Sequence, residues 1–423
     1  MQAGNLTNVT DDQVDSLVHV LELIRSGSAT TRPDIAHASG YGRTLISQRL
    51  AQLQDVGLVS GEEVRLGVRG RAPVVLRFAA ERAYVLVAVV DTFTISAALS
   101  DLSGELVRIF VEERVAAAGL EEILESIERL FDSLTESVDG LPIWGIGVGL
   151  PAPVRYSTGR PAGSAITPLW EDFPVRDRLE ARYAMPVWVD NDVNLMAFGE
   201  SRTGGEDTSD IIYVRVAGGF GAGILSEGRL HRGATGAAGE IAHVQVDKQS
   251  TVRCYCGKTG CLVAVAGGPA LIAAAETAIR EGVSTALATS PRAHTNLTVE
   301  DIANAATHND PLAMDLVYES ARALGTVLAD LVNFYNPAKI LLGGPLAHSN
   351  HAYLAGVREE VFRRAHPLAT RPLTIDEARF EESSGLRGAA LMVVDEMLSR
   401  KGIARWINQG TPVGAFESLA FSN

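Results

Sequence analysis

Three cysteines and one histidine constrain one short stretch of this chain more than any other feature of its sequence. All three cysteines of the 423-residue chain, Cys254, Cys256 and Cys261, fall within eight positions, and His243 precedes them. Three thiolates and a neutral imidazole are the ligand set of a closed tetrahedral Zn²⁺ site. The stretch 239–261 is therefore predicted to form a compact metal loop, in which glycines make the tight turns.

The alternative interpretation of this cluster is three buried cysteines that hold no metal. Cys254 and Cys256 are too close in sequence for an easy disulfide, and an odd number of cysteines leaves one thiol unpaired. Their clustering favours metal binding. Because the protein would supply all four ligands, no position remains for a substrate water, and the predicted Zn²⁺ is structural.

Length and charge limit the class of protein. The chain is long enough for two or three domains, no apolar run reaches membrane-spanning length, and the polar, acidic start does not resemble a signal sequence. Thiols without a disulfide framework favour a cytoplasmic protein. Residues 1–80 carry eight Arg and eight Asp or Glu, so the net charge of −14 lies entirely in residues 81–423. Nucleic-acid binding, if present, is therefore confined to the N-terminal segment.

Residues 1–80 have the pattern of a winged helix-turn-helix domain. Apolar spacing and capping residues predict a first helix that begins at Thr10 or Asp11 and ends near Gly27, a second from Thr31 to Gly40, and a third from about 42 to 56. In such domains the third helix enters the major groove of DNA with its N-terminal residues. The predicted DNA contacts on this helix are Arg43, Thr44, Ser47, Gln48 and Arg49.

A predicted wing follows the third helix. Two short strands, at 58–60 and 74–78, flank a loop whose Arg69 and Arg71 suit the negative potential of the minor groove. The alternative is a solvated three-helix domain that pairs with protein. Because residues 1–80 carry no net charge, we expect moderate affinity per subunit and binding as a dimer to paired half-sites.

From Tyr84 onwards, strand patterns alternate with helix patterns, which predicts an α/β protein of two lobes. The first lobe is expected to comprise residues 81–195 and a C-terminal helix at about 384–398. The second lobe, residues 196–383, would contain the metal loop. Residues 399–423 lose periodicity and are predicted to be a tail.

Four motifs in this region together resemble the ROK family of repressors, open reading frames and sugar kinases. They are VDNDVNLMAFGE, AGGFGAGIL, GEIAH followed by CYCGKTGC, and NPAKILLGG, and the resemblance extends from about residue 13 to 398. It implies a two-lobed actin/hexokinase-like (ribonuclease-H-like) fold with a sugar cleft, assembled as a homodimer or homotetramer. Members with an N-terminal winged helix are repressors of sugar genes, controlled by a sugar or sugar phosphate.

The resemblance also implies candidate ligand-binding residues. Asn191 and Asp192 match the pair that binds sugar in the kinases, where the aspartate is the general base. The alternative role for Asp192 is to cap the following helix. Glu240 and His243 match two sugar-contacting residues of the family, of which the histidine is also a zinc ligand. Zinc on one imidazole nitrogen leaves the other N–H free to donate to a hydroxyl.

The sequence departs from the family kinases where they bind ATP. Their glycine-containing first hairpin is replaced by VVDTFTIS at 89–96, with Phe93 in the turn, and AGGFGAG at 217–223 lacks the usual Thr or Ser. Because phosphoryl transfer depends on positioning and charge neutralisation, these changes predict a protein that is not a kinase. Val263 stands where sugar-binding members have a glutamate, so three alternatives are open: the effector is a different sugar, it is a phosphosugar, or the site has lost its ligand.

The sequence therefore predicts a zinc-containing regulator that binds double-stranded operator DNA and a sugar or sugar phosphate. Two alternatives come from other classes of protein. One is an ATP-dependent sugar kinase with an added N-terminal domain, in which Asp192 would be the base. The other is a degenerate scaffold that binds only protein.

Overall fold

The computed structural model of the protein describes residues 10–63, 74–113, 119–138, 140, 142–162, 170–203, 209–290, 292, 297–348, 351–380 and 382–416. Within them, an N-terminal helical domain precedes two lobes, each built on a five-stranded sheet. This arrangement confirms the predicted α/β class and the two-lobed fold behind a winged helix.

The N-terminal domain contains three helices and a two-stranded wing. They are α1 (Asp11–Arg25), α2 (Arg32–Ser39), α3 (Arg43–Asp55), β1 (Val59–Glu63) and β2 (Val74–Phe78), with the two strands antiparallel. The hydroxyl of Thr31 accepts a hydrogen bond from the Asp34 amide at 3.3 Å and so begins α2, and Gly40, with φ of 70°, ends it. The wing tip, with Arg69 and Arg71, lies outside the described residues.

The first lobe is a sheet whose strand order is β5-β4-β3-β6-β9. Its first three strands form an antiparallel meander, and the last two run parallel to β3. The helices α4 and α5 are part of this lobe, and α4 packs on β3, β4 and β5 through a mainly apolar stripe. The elements are β3 (Tyr84–Val90), β4 (Thr94–Asp101), β5 (Leu106–Glu113), α4 (Leu120–Glu136), β6 (Ile143–Leu150), β7 (Val154–Arg155), β8 (Arg160–Pro161), α5 (Val175–Tyr183) and β9 (Val187–Asn191).

The second lobe repeats the strand pattern of the first. Its order is β12-β11-β10-β13-β14, again an antiparallel meander followed by two strands parallel to the first strand of the meander. The elements are β10 (Ile211–Val216), β11 (Phe220–Ser226), β12 (Arg229–Leu230), α7 (Leu262–Ala266), α8 (Gly268–Arg280), α9 (Val299–Thr307), α10 (Pro311–Tyr335), β13 (Lys339–Gly343), α11 (His351–Arg364), α12 (Pro367–Thr370) and β14 (Thr374–Glu377).

Two helices are exchanged between the lobes. α6 (Asp192–Thr203) follows the last strand of the first sheet but packs on the second sheet, whereas α13 (Glu382–Leu398) follows the last strand of the second sheet but packs on the first. The two helices cross at Gly199 and Gly388. A Cβ atom at Gly199 would lie 2.2 Å from the carbonyl oxygen of Ser384, so only glycine permits this close crossing.

The C-terminal segment is ordered, and the prediction that residues 399–423 form a tail is wrong for residues 400–416. They contain α14 (Arg400–Trp406), and Trp406 is fully buried, with its indole N–H donating to the Met397 carbonyl at 2.9 Å and its ring 5.4 Å from that of Trp144. Phe416 packs edge-on against Trp188. Two large aromatic side chains are enough to anchor a short segment that shows no periodic pattern.

One helical stretch, Leu262–Arg280, is long and apolar enough to cross a membrane by length and composition. Gly267 interrupts it, because its backbone leaves the helical region between α7 and α8. Both helices contribute side chains to the apolar core of the second lobe, including Leu262, Leu271 and Ala275. Part of their apolar surface is therefore buried by packing inside the protein.

Candidate functional site

The cleft residues Asn191 and Asp192 lie where β9 ends and α6 begins. The Asn191 side-chain oxygen accepts hydrogen bonds from the amides of Val193 and Asn194, at 3.0 and 3.1 Å, and its amide group donates to the Ala152 carbonyl at 3.2 Å. Asn191 therefore caps α6, which is the role considered above for Asp192. The Asp192 carboxylate also accepts from the Val193 amide at the same helix start, so both residues contribute to the cap.

Asp192 is a buried carboxyl group beside an ion pair that joins the two lobes. It is 4% exposed, and the pair consists of Asp91, after β3, and Arg215, on β10. Burial raises the pKa of Asp192 to about 7; Arg215 opposes this rise and Asp91 adds to it. The residue is thus poised to gain or lose a proton near neutral pH.

Asp190 is a further cleft residue, which sequence reasoning missed. It is 1% exposed, accepts hydrogen bonds from the Asn191 amide and the Asn194 side chain, and forms an ion pair with Arg232 at 2.7 Å. It thereby fixes the backbone that carries Asn191 and Asp192. Its position directly before that pair in the VDND motif is the only sequence signal that could have indicated this role.

Glu240 and His243 lie on a single 3₁₀ turn of the second lobe, Ile241–His243. Burial raises the pKa of Glu240, whose Oε2 lies 3.9 Å from His243 Nε2. The turn lies against β11, where the Ala222 amide donates to the Gly239 carbonyl, and Gly221 of the same strand lies against Val193 of α6. β11 thus links the Glu240 turn to the Asn191–Asp192 pair, although no described hydrogen bond or ion pair joins the two directly.

The four predicted metal ligands converge. One ligand atom from each of His243, Cys254, Cys256 and Cys261 lies within 4.8 Å of all the others, and the residues of this cluster form no disulfide. Tight turns build the cluster, with an isolated β-bridge between Arg253 and Thr259. The group could therefore hold a metal ion.

The spacing of these atoms fits a tetrahedral ion. A Zn–S bond of about 2.3 Å requires sulfur atoms about 3.8 Å apart. The Cys256 and Cys261 sulfurs are 3.7 Å apart, and His243 Nδ1 lies 3.5 Å from the Cys254 sulfur. Burial lowers the pKa of His243, which favours the neutral imidazole that metals bind. Since Nδ1 faces the cysteines, Nε2 is left on the side of Glu240.

Val263 is buried in the second lobe, at 6% exposure. Its side chain lies against Gly219, in the glycine-rich turn between β10 and β11, and against Gly267. Phe93, in the turn between β3 and β4, is 63% exposed. The segment that precedes Trp170 in the sequence lies outside the described residues.

The helix α3 presents four of its five predicted DNA contacts to solvent: Arg43, Thr44, Ser47 and Gln48. Arg49 does not fit the prediction. It is only 6% exposed, and it donates hydrogen bonds to Ser16 Oγ and Gln52 Oε1, both at 2.8 Å. Arg49 therefore joins α3 to α1 inside the domain.

Arg32 is an exposed cation on the same surface, and the sequence did not predict it as a DNA contact. It lies at the start of α2, and its guanidinium donates to Ser47 Oγ at 3.3 Å. Its place directly before Pro33, in the first turn of the helix that packs against α3, was the available signal. Phosphates beside a bound α3 would lie within reach of such a side chain.

The sequence is similar to those of a known protein family. The sequence profile of the ROK family matches residues 92–396, most of the chain. The chain belongs to the ROK family. A xylose repressor of Caldicellulosiruptor bescii is 28% identical over 394 residues, which cover 92% of this chain and 97% of that protein. A glucokinase of Halalkalibacterium halodurans is 33% identical over 250 residues, which cover 59% of this chain and 76% of that protein.

A solved ROK structure matches nearly the whole chain. It is a ROK family transcriptional regulator, a homologue of the Escherichia coli MLC protein, with 25% identity and a TM-score of 0.81, and it covers 95% of this chain and 100% of that chain. Matches over 92% and 95% of this chain must include part of its N-terminal domain. The ROK glucokinase match is much shorter.

Proposed function

We propose that this ROK protein is a transcriptional repressor of sugar-related genes that binds operator DNA through α3 and senses a sugar or sugar phosphate in the cleft between its lobes. The observation that carries the proposal is the near-complete match to a repressor and to a transcriptional regulator. An exposed polar face on α3, with Arg43 and Gln48, supports base readout in the major groove.

Two adjacent residues of α3 are expected to have different roles, and substituting each of them tests whether α3 reads DNA. We expect Gln48→Ala to lower the affinity for specific DNA about 5- to 150-fold, since a bidentate base contact is worth about 1–3 kcal/mol, with unfolding unchanged. Arg49→Met should instead destabilise the domain by about 1–3 kcal/mol, because Ser16 and Gln52 lose a buried partner. DNA titration by fluorescence anisotropy and urea unfolding measure the two effects. If Gln48→Ala instead lowered stability and Arg49→Met instead weakened DNA binding, α3 would not be the helix that reads DNA.

The cleft supports recognition of a polyol. Asp192 and Glu240 offer carboxylate acceptors, and His243 Nε2 can donate on the side of Glu240. We propose these residues, with Asn191 positioning the loop, as the ligand site. Val263 provides no acceptor, so a sugar hydroxyl that the usual glutamate would bind is left without a partner, which disfavours that sugar by about 1–3 kcal/mol.

We propose that the ion held by the cysteine cluster is Zn²⁺ in a structural role. Three thiolates and an imidazole match this ion in number, type and spacing. When bound, the ion would supply a fixed point of attachment for the imidazole. His243 would then present Nε2 towards the cleft in one orientation, and Glu240 would be held beside it on the same turn.

The second candidate function, sugar phosphorylation, is favoured by one observation. A carboxyl group with its pKa raised to about 7 is suited to general-base chemistry, and Asp192 is such a group. We infer that the protein is nonetheless not a kinase. The turn between β3 and β4 carries Phe93, and Asp91 in that turn is bound to Arg215. Such a turn offers no glycine backbone for the phosphates of ATP.

We further propose that the protein acts as a homodimer or homotetramer on an operator with two half-sites. A single winged helix reads a short stretch of sequence, and affinity accumulates when two domains bind one duplex. The neutral overall charge of residues 1–80 makes this pairing more important, because few phosphate contacts are available per domain.

One experiment separates these functions. Duplexes that the protein selects from a random-sequence pool are sequenced and then titrated with protein in the presence of D-xylose, D-glucose or D-glucose 6-phosphate. We expect a two-fold symmetric consensus, salt-dependent binding, and weaker binding with at least one of these compounds. ADP release from ATP is followed with the same three compounds.

The outcomes point in different directions. If no DNA sequence is enriched, the hypothesis of a transcriptional regulator is wrong, and a scaffold that binds protein is favoured. Sustained ADP release that Asp192→Asn abolishes would establish the kinase instead.

A further inference from the structure

The DNA-binding domain contacts the lobes through charged side chains as well as through apolar ones. Arg25, at the end of α1, lies 2.6 Å from Asp395 on α13, and the contact is an ion pair without hydrogen-bond alignment. Arg400, at the start of α14, forms ion pairs with Asp11 and Asp15 at the other end of α1. The first helix of the DNA-binding domain is thus held at both ends by the two C-terminal helices.

The Asp395 carboxylate is shared with a helix that begins in the cleft. Its second oxygen accepts a hydrogen bond from Arg202 at 2.6 Å. Arg202 lies near the end of α6, and Asp192 is the first residue of that helix, about 15 Å away at 1.5 Å per residue. One carboxylate therefore binds a cation from the DNA-binding domain and a cation from the helix that carries the proposed sugar ligand.

A second route leads from the cleft to the next residue of α13. Asp190 binds Arg232, whose guanidinium lies 3.8 Å from the centre of the Tyr156 ring. The Tyr156 hydroxyl donates to Glu396 at 2.7 Å. Arg232 and Tyr156 are both largely shielded from water, which strengthens these contacts. Both routes end on adjacent residues of α13, at the place where α1 docks.

Space remains at this junction beside its apolar contacts. A cavity of about 560 Å³ lies between α1, α6, α13 and the turn after β11, and its lining includes Val18, Leu21, Phe198, Met392 and Leu398. In a fully close-packed interface α1 could move only if its neighbours repacked, whereas a cavity leaves α1 room to shift. Apolar side chains of α1 also share one core with those of α13 and α14, and the ion pairs act beside this apolar contact.

We propose that Asp395 couples the cleft to the DNA-binding domain, by holding Arg202 of α6 and Arg25 of α1 on one carboxylate. This inference rests on the proposed function, since it needs a sugar in the cleft and DNA on α3. A sugar that draws Asp192 towards it moves the start of α6, and the displacement reaches α1 through Arg202 and Asp395. Asp395 is a positioning residue and touches neither ligand.

Asp395→Asn tests the coupling while keeping the shape of the side chain. In the wild type we expect D-xylose, D-glucose or D-glucose 6-phosphate to change the affinity for the selected duplex by about 5- to 150-fold, the usual range of such couplings. In Asp395→Asn the change should fall to within about twofold of none. The affinity for the same compound, measured by calorimetry without DNA, should stay within about threefold of wild type.

Two further variants keep the test decisive. Arg400→Gln removes the other ion-pair cluster of α1, which has no route to the cleft, and should leave the sugar response intact. Arg25→Gln removes the same contact from the side of α1 and should reduce the sugar response as Asp395→Asn does. The test therefore holds even if Asp395→Asn folds poorly. A full response in both Asp395→Asn and Arg25→Gln would overturn the inference alone. A wild type that binds DNA but responds to none of the three compounds would overturn sugar sensing itself.

Discussion

Replacing Cys261 with serine is expected to remove the metal from the protein and to weaken sugar binding at least about tenfold. Cys261 is fully buried and its sulfur completes the four-atom cluster, so its loss leaves three ligands. His243 then loses its fixed orientation. An ion present at about 1,000 times its dissociation constant contributes about 4 kcal/mol to stability, so the free energy of unfolding should fall by at least that amount.

Mass-spectrometric metal analysis measures this result directly, with about one zinc per wild-type chain and almost none in the variant. Calorimetry with the sugar compounds follows the loss of affinity. Thr251→Ala is the matched control, because Thr251 is exposed in the same loop and is not a member of the cluster. Wild-type protein purified from zinc-containing medium without bound zinc would refute the assignment.

Asp192→Asn should stabilise the protein above neutral pH and leave its stability unchanged in acid. Burial raises the pKa of Asp192 from 3.8 to about 7, so the folded protein holds a proton that the unfolded chain releases. Between about pH 4 and pH 7 the wild type therefore loses stability as pH rises, by an amount on the order of 4 kcal/mol. Asparagine carries no such penalty, and the variant should exceed the wild type most at about pH 8.

Urea unfolding between about pH 4 and pH 8 measures this difference. Glu171→Gln, at an exposed carboxylate, serves as the control and should show no such trend. The same Asp192→Asn variant should bind sugar at least about tenfold more weakly, because a charged acceptor is lost. Wild-type sugar affinity should rise with pH through about 7, as the carboxylate forms. Destabilisation of Asp192→Asn by a constant amount at every pH would contradict the buried-acid assignment.

Features set by neighbouring residues were predictable from the sequence. The helices of the winged domain begin and end within two residues of their predicted positions, because capping residues such as Thr31 and Gly40 act locally. The metal cluster followed from the spacing of Cys254, Cys256 and Cys261, since ligands this close in sequence need only tight turns to converge.

Features set by distant residues were not predictable in this way. Arg49 has the residue type and helix position of a DNA contact. It is buried because it packs against Ser16, which lies 33 residues away in the sequence. The Asp91–Arg215 pair joins residues 124 positions apart, on different lobes. Sequence spacing gives no information on such pairs, because they depend on how the two sheets are placed relative to each other.

The exchange of α6 and α13 also governs how the chain can fold. Each sheet leaves a face that only a helix from the other half of the chain covers, and the two helices meet backbone to backbone at Gly199 and Gly388. Neither half can exclude water from its core before the other has formed, so the lobes make one cooperative folding unit of high contact order. The two lobes therefore cannot be separated into independent domains.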